Sequence, residues 1–91
     1  MRWRVPPHVT LIWTSWDEAD EAVFNAASRQ IHLLDALSAA ALREIAAGAV
    51  TLPELARRLA EGYALDRGAL EPRLVAICGE FDRIGLAEAA P

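Results

Sequence analysis

The segment AVFNAASRQIHLLD, residues 22–35, decides the fold class of this chain. Two short apolar runs, residues 22–24 and 30–34, flank a polar turn whose Asn and Ser side chains can bond nearby backbone groups. Within the second run, Ile31 and Leu33 share one face and His32 lies on the other, which is the period of a strand. The segment therefore predicts a β-hairpin, and at Asp35 the spacing changes to that of a helix.

The residues before this hairpin predict one more strand. In HVTLIWTSW, residues 8–16, Val9, Leu11 and Trp13 alternate with polar side chains, and Ile12 interrupts the outer face. Two prolines at 6–7 separate this run from a short strand predicted at residues 3–5. The acidic residues 17–21 predict a solvated turn into the hairpin. We therefore expect a three-stranded antiparallel meander.

Helical spacing predicts two capped helices after residue 35. Asp35 is a suitable N-cap for a first helix that Gly48 ends. The pattern Thr51-x-x-Glu54 is a capping box that opens a second helix. The inward positions of the two helices form apolar stripes, at Leu37, Ala41, Leu42 and Ile45 in the first and at Leu52, Leu55, Ala56 and Leu59 in the second.

A third helix has a continuous apolar face formed by Leu70, Leu74, Ile77, Phe81 and Ile84. Because proline inside a helix removes a hydrogen bond, Pro72 argues against a helix that is capped by Asp66. We therefore predict a loose turn over residues 66–69 and a regular helix from residue 70 or 71. The fold class that follows is α+β, a three-stranded antiparallel sheet followed by three α-helices.

Composition limits the functions to be considered. With 91 residues, 54% of them hydrophobic, the chain predicts a single domain over residues 1–91. The formal net charge of −4 disfavours nucleic-acid binding, which depends on neutralising phosphates. Neither a secretory h-region nor a membrane-spanning apolar run occurs, so we expect a cytoplasmic protein without membrane contact. Cys78 is the single cysteine, which excludes an intrachain disulfide and predicts a small buried side chain.

We predict no catalytic residue, no metal site and no cofactor. His8 and His32 are the two histidines, and both lie at predicted strand positions, where packing or surface roles are usual. Metal-binding, dinucleotide-binding and phosphate-binding motifs are absent from the sequence. Among the tryptophans, Trp13 is predicted to pack in the core and Trp3 to hold the terminus against it. Trp16 remains open between edge packing and contact with a partner.

The order of several segments resembles the PqqD-like family of peptide chaperones. The similar segments are residues 23–28, 32–37, 51–56 and 82–86, and the N-terminal tryptophans look most like the branch associated with an HPr-related kinase system. The resemblance implies a winged-helix-like domain, a recognition element for ribosomally made precursor peptides. Such domains add a leader peptide as a strand beside the third strand, in a groove against the last helix, and present it to a modifying enzyme.

Carried onto this chain, the resemblance places a peptide site on the third strand and the last helix. Periodicity leaves open whether the flank with Arg73 and Glu80 or the flank with Glu71, Cys78 and Asp82 faces the groove. The predicted peptide-binding residues are Gln30, Ile31, His32, Leu33, Leu34, Arg73, Ile77, Glu80, Phe81 and Ile84.

Two other functions remain as alternatives. A winged-helix regulator would bind DNA phosphates through arginines, for which the candidates are Arg57, Arg58, Arg67 and Arg73. An adaptor subunit would use the same sheet edge to bind a folded enzyme, for which a kinase-like protein is one candidate, or a second copy in a homodimer.

Overall fold

The computed structural model describes residues 1–15 and 20–90, in which five strands and three helices follow one another. Residues 16–19, which include Trp16 and most of the predicted acidic turn, lie outside the described residues. The elements are β1 (Arg2–Arg4), β2 (Leu11–Ser15), β3 (Glu21–Asn25), β4 (Gln30–Leu34), α1 (Ala36–Ala47), α2 (Leu52–Tyr63), α3 (Arg67–Ile84) and β5 (Glu88–Ala90).

The predicted meander is confirmed as an antiparallel sheet with the strand order β2-β3-β4. At its centre, Val23 of β3 is opposite both Trp13 of β2 and His32 of β4. The hairpin turn depends on buried Asn25, whose Oδ1 accepts hydrogen bonds from the backbone N–H of Ala27 at 2.9 Å and Ser28 at 3.4 Å. The predicted hairpin is therefore confirmed.

Strand β2 begins at Leu11, so the prediction of a strand from His8 was wrong. The N–H of Val9 donates to the carbonyl of Pro6 at 3.0 Å, and this turn occupies the residues that the alternation had assigned to the strand. His8 is consequently an exposed turn residue.

A second, two-stranded sheet pairs the two ends of the described chain. Strands β1 and β5 are antiparallel, with Trp3 opposite Ala89. On its other side, Trp3 forms two backbone hydrogen bonds with Val50, at 2.8 and 3.0 Å. The sequence predicted a short strand near Trp3 but not β5, because a three-residue strand of alanines and one glutamate has no distinguishing period.

The caps predicted for α1 and α2 are confirmed. The N–H of Ser38 donates to the Asp35 carboxylate at 2.8 Å, and the N–H of Glu54 donates to the Thr51 hydroxyl at 3.3 Å. Both arrangements satisfy a backbone donor that has no partner inside its own helix.

Helix α3 begins at Arg67, so the prediction of a loose turn before Leu70 was wrong. Asp66 is the N-cap, and its carboxylate accepts from the N–H of Gly68 at 3.3 Å. Pro72 lies in the second turn, where it removes one backbone hydrogen bond. The cap and the burial of Leu70, which is 2% exposed, offset that loss.

The core lies between the inner face of the larger sheet and the three helices. Its buried side chains include Val23 and Leu34 from the sheet and Leu42, Leu55, Leu59, Leu74 and Phe81 from the helices. Trp3 and Trp13 are partly buried and pack against this core, as predicted. No helix within residues 1–15 and 20–90 combines the length and apolarity that crossing a membrane requires.

Candidate functional site

An open groove of about 670 Å³ lies between β4 and the C-terminal half of α3. One wall is the strand itself, and the other is the helix face that carries half-buried Ile77 and Ile84. The beginning of α1 contributes Asp35 and Ser38 at one end. The full lining consists of Ile31, His32, Leu33, Leu34, Asp35, Ser38, Ala76, Ile77, Glu80, Phe81, Arg83 and Ile84.

The structure brings eight of the ten predicted site residues together around this groove, and two lie elsewhere. Gln30, at the start of β4, is exposed and does not line the groove. Arg73 lines a separate small cavity of about 80 Å³ beside Leu65 and Leu70. The eight that line it are Ile31, His32, Leu33, Leu34, Ile77, Glu80, Phe81 and Ile84.

The fold decides which flank of α3 faces the groove, a question that periodicity left open. The exposed groove side carries Glu80 together with Ala76 and Arg83. Cys78 lies on the opposite side, fully buried in the core, and this burial raises the pKa of its thiol to about 11. Cys78 is therefore a core side chain, and the flank to which the sequence assigned it does not line the groove.

Among the described residues, strand β4 is an edge of the larger sheet, because β3 is its single neighbour in the strand order β2-β3-β4. In an antiparallel pair, alternate residues point their N–H and C=O groups toward the neighbouring strand and away from it. The outward groups of β4 therefore form a row of backbone donors and acceptors directly beside the groove. Such a row is able to hydrogen-bond an additional extended chain.

Three charged side chains line the groove, Asp35, Glu80 and Arg83. The hydrogen bond from Ser38 N–H, aided by the positive charge of Arg73, lowers the pKa of the Asp35 carboxyl below its ordinary value. Farther along α3, the Arg83 guanidinium donates to the Glu80 carboxylate at 2.8 Å and lowers the pKa of that carboxyl. Both carboxylates therefore stay ionised around neutral pH.

His32 contributes an uncommon feature to the strand wall. Its Nε2 atom is buried and has no hydrogen-bond partner among the described residues. Most buried polar atoms in folded proteins are paired. His32 lines the groove at the middle of β4, opposite fully buried Val23.

Sequence reasoning missed four residues that line the groove, namely Asp35, Ser38, Ala76 and Arg83. Helical spacing contained a signal for two of them, since Ala76 precedes Glu80 by four positions and Arg83 follows it by three. Asp35 was predicted only as the N-cap of the first helix, and no local pattern places a helix N-terminus beside another helix.

Two arginines of the DNA-binding alternative, both on α2, form ion pairs within the protein. Arg57 binds Glu54 and Glu61, the latter at 3.0 Å, and the hydrogen bonds from Arg57 and Arg58 lower the pKa of the Glu54 carboxyl to about 2. Arg58 lies 3.5 Å from Glu44 and 3.2 Å from Glu54. A phosphate would have to displace these carboxylates, so the surface of α2 does not favour DNA.

Among the residues that the structure describes, no group of three or more His, Cys, Asp or Glu side chains is arranged to hold a metal ion. The groove's own polar side chains are two carboxylates, an arginine, a serine and a histidine. Glu80 forms an ion pair with Arg83, and the Asp35 carboxylate caps α1.

No family model matches the chain, and no curated protein matches it in sequence. A solved structure described as "Lasso peptide synthetase B1 complexed with the leader peptide" is similar to it, with a TM-score of 0.71. The match covers 96% of this chain and 98% of that chain at 17% sequence identity. The two chains therefore share a fold over nearly their whole lengths.

Proposed function

We propose that this protein is a non-catalytic peptide-binding domain, spanning residues 1–91, that holds the leader segment of a precursor peptide for a modifying enzyme. The observation that carries the proposal is the free edge of β4 beside an apolar groove on α3. Support also comes from the protein of similar fold, whose solved structure is described as a complex with its leader peptide.

Backbone pairing supplies the first part of the binding free energy. About four or five hydrogen bonds to β4, each contributing a net ~0.5–1.5 kcal/mol, would stabilise the complex by a few kcal/mol. Ordering a flexible peptide costs ~2–5 kcal/mol, so backbone pairing alone leaves little affinity. The side chains that enter the groove must then provide most of the affinity and the choice of partner.

The groove suits apolar peptide side chains on the inner side of the added strand. Ile77, Phe81 and Ile84 form its helical wall, and Leu34 lies at the end of the strand wall. Burying one Leu- or Phe-sized side chain there contributes ~1.5–3 kcal/mol. Two such side chains together with the backbone bonds give an expected dissociation constant in the micromolar range. A dissociation constant of about 1 μM corresponds to a binding free energy of about −8 kcal/mol.

For the enzyme partner, the proposal names only a class of candidate. The resemblance to the branch that accompanies an HPr-related kinase system makes a kinase-like enzyme one candidate, and we place the complex in the cytoplasm. Homodimerisation through β4 would compete with the peptide, since both would need the same row of backbone groups.

Amide hydrogen exchange with a bound peptide tests the proposal. Peptides are first selected from a yeast-displayed library of random twelve-residue sequences, and an enriched peptide is then synthesised. We expect it to bind with micromolar affinity and to slow exchange of the outward N–H groups of β4. Methylating the backbone nitrogens of the peptide at alternate positions should weaken binding at least tenfold in one of the two registers.

Two results would argue against the proposal. One is a selected peptide that leaves exchange in β4 unchanged while protecting another surface. The other is the absence of any enriched peptide after repeated sorting, with a folded protein confirmed by circular dichroism.

A further inference from the structure

Exposed apolar side chains on the outer face of the larger sheet extend to its free edge. Ile31 and Leu33 of β4 are 65% and 56% exposed. The strand register places Ile31 opposite Phe24, which in turn is opposite Ile12, itself 54% exposed. A sheet face directed to solvent normally carries polar side chains, so this row is unusual.

The edge also lacks the usual protection against pairing. Edge strands commonly carry charged side chains or prolines that prevent another chain from adding to them. Strand β4 contains no Asp, Glu, Arg or Lys, and no lysine occurs anywhere in the sequence. The outer side of this edge is therefore open to an apolar neighbour.

A strand added beside β4 would have two faces, because successive side chains of a strand point to opposite sides. Its inward side chains would enter the groove above Ile77 and Phe81. Its outward side chains would lie next to Ile31 and Leu33, at the ~4.5–5.5 Å Cβ spacing of cross-strand neighbours. Apolar surface is thus available on both sides of the added strand.

We infer that the peptide segment recognised at β4 is apolar on both faces: an uninterrupted run of about four apolar residues, rather than an alternation of apolar and polar ones. The inference rests on the proposed function and names the class of peptide that this site takes. Polar outward side chains would leave Ile31 and Leu33 without an apolar neighbour on the side away from β3, whereas apolar ones would cover them. The two outward contacts correspond to about a 2- to 30-fold difference in dissociation constant.

The peptides enriched from the random twelve-residue library give the first test. We expect most of them to contain four or more consecutive apolar residues. Enriched peptides that instead alternate apolar and polar residues would overturn the inference while supporting the proposed function. A library without any enriched peptide would contradict the proposed function itself, so the two failures are distinguishable.

Protein variants give the second test, measured by fluorescence anisotropy with one enriched peptide. The double variant Ile31→Thr, Leu33→Thr places the β-branched, strand-compatible threonine at both positions and should weaken binding about 2- to 30-fold. The loss should disappear for a peptide with threonine at its outward positions. Ile12→Thr is the matched control, since it removes an equally exposed side chain two strands from the free edge, and should change binding less than twofold.

Thermal melts establish that each variant is folded before its affinity is compared. A folded double variant that binds the apolar peptide as tightly as the wild type would overturn the inference. So would sedimentation velocity that detects a stable dimer of the wild type which the double variant abolishes, because Ile31 and Leu33 would then contact a second copy.

Discussion

Strands β1 and β4 are both short, but they differ in whether their two edges are hydrogen-bonded. The backbone of β1 is hydrogen-bonded on both sides, to β5 on one and to Val50 on the other. Strand β4 is paired with β3 on one side and borders the groove on the other. Strand β1 therefore has backbone hydrogen bonds on both of its edges, whereas the edge of β4 beside α3 has no strand partner among the described residues. An unpaired edge of this kind is what the proposed strand addition requires.

Proline substitutions should produce the largest contrast between the two strands. Because backbone groups alternate in direction along a strand, either Ile31 or His32 points its N–H toward the unpaired edge of β4. Proline at that residue removes an outward donor and leaves the bonds to β3 intact. In Ile31→Pro and His32→Pro, we expect the variant that stays folded to lose peptide binding by more than 100-fold. Circular dichroism measures the fold, and fluorescence anisotropy with the selected peptide measures binding.

The corresponding change in β1 is Trp3→Pro. It removes the 2.8 Å hydrogen bond from Trp3 N–H to Val50, so we expect a lower melting temperature instead of a selective loss of binding. The contrast would be refuted by a folded β4 variant that binds as well as the wild type, because strand addition requires the outward donor.

Filling the groove should have the next largest effect. Ala76 is exposed on α3 and lines the groove, so Ala76→Arg places a long side chain where the peptide would lie. We expect binding to weaken at least tenfold, about 1.4 kcal/mol, with little change in melting temperature.

Val75→Arg is the matched control for this substitution. Val75 precedes Ala76 on the same helix and is 58% exposed, but it does not line the groove. Its affinity should stay within twofold of the wild type. Equal losses in the two variants would indicate a general effect of positive charge on binding rather than occupation of the groove.

The smallest effect is expected at Asp35, where β4 joins α1. Asp35→Ala removes an N-cap and should lower the free energy of unfolding by about 1 kcal/mol at pH 7, measured by urea denaturation. Asn can still accept the hydrogen bond from Ser38 N–H, so Asp35→Asn should lose less than Asp35→Ala.

The pH dependence follows from the lowered pKa of Asp35 in the folded state. A carboxyl whose pKa is depressed by folding stabilises the protein above its ordinary pKa of 3.8, and the contribution disappears as the pH falls through the folded value. The stability advantage of the wild type over Asp35→Asn should therefore decrease from pH 7 to pH 3. An advantage that stayed constant with pH would show that the ionised carboxylate is not responsible.

Local sequence signals were sufficient for much of the fold. The hairpin around Asn25 and the caps at Asp35 and Thr51 all follow from side chains that bond nearby backbone. The error at Pro72 arose because a local penalty was weighed without the burial of Leu70, which depends on tertiary packing. The error at His8 arose because the alternation of apolar and polar residues begins within the turn that the Val9 N–H closes on the carbonyl of Pro6.

The sequence by itself determined the order of the three meander strands and the three helices, the apolar face of α3 and the absence of a charged residue on β4, because these depend on residue type and spacing. The tertiary structure alone decided that the flank of α3 with Glu80, and not the flank with Cys78, faces β4. It also decided that β1 is covered on both sides while β4 keeps an open edge. The physical reason is that rotation of a helix about its axis, and the pairing of distant strands, are set by packing between residues far apart in the chain.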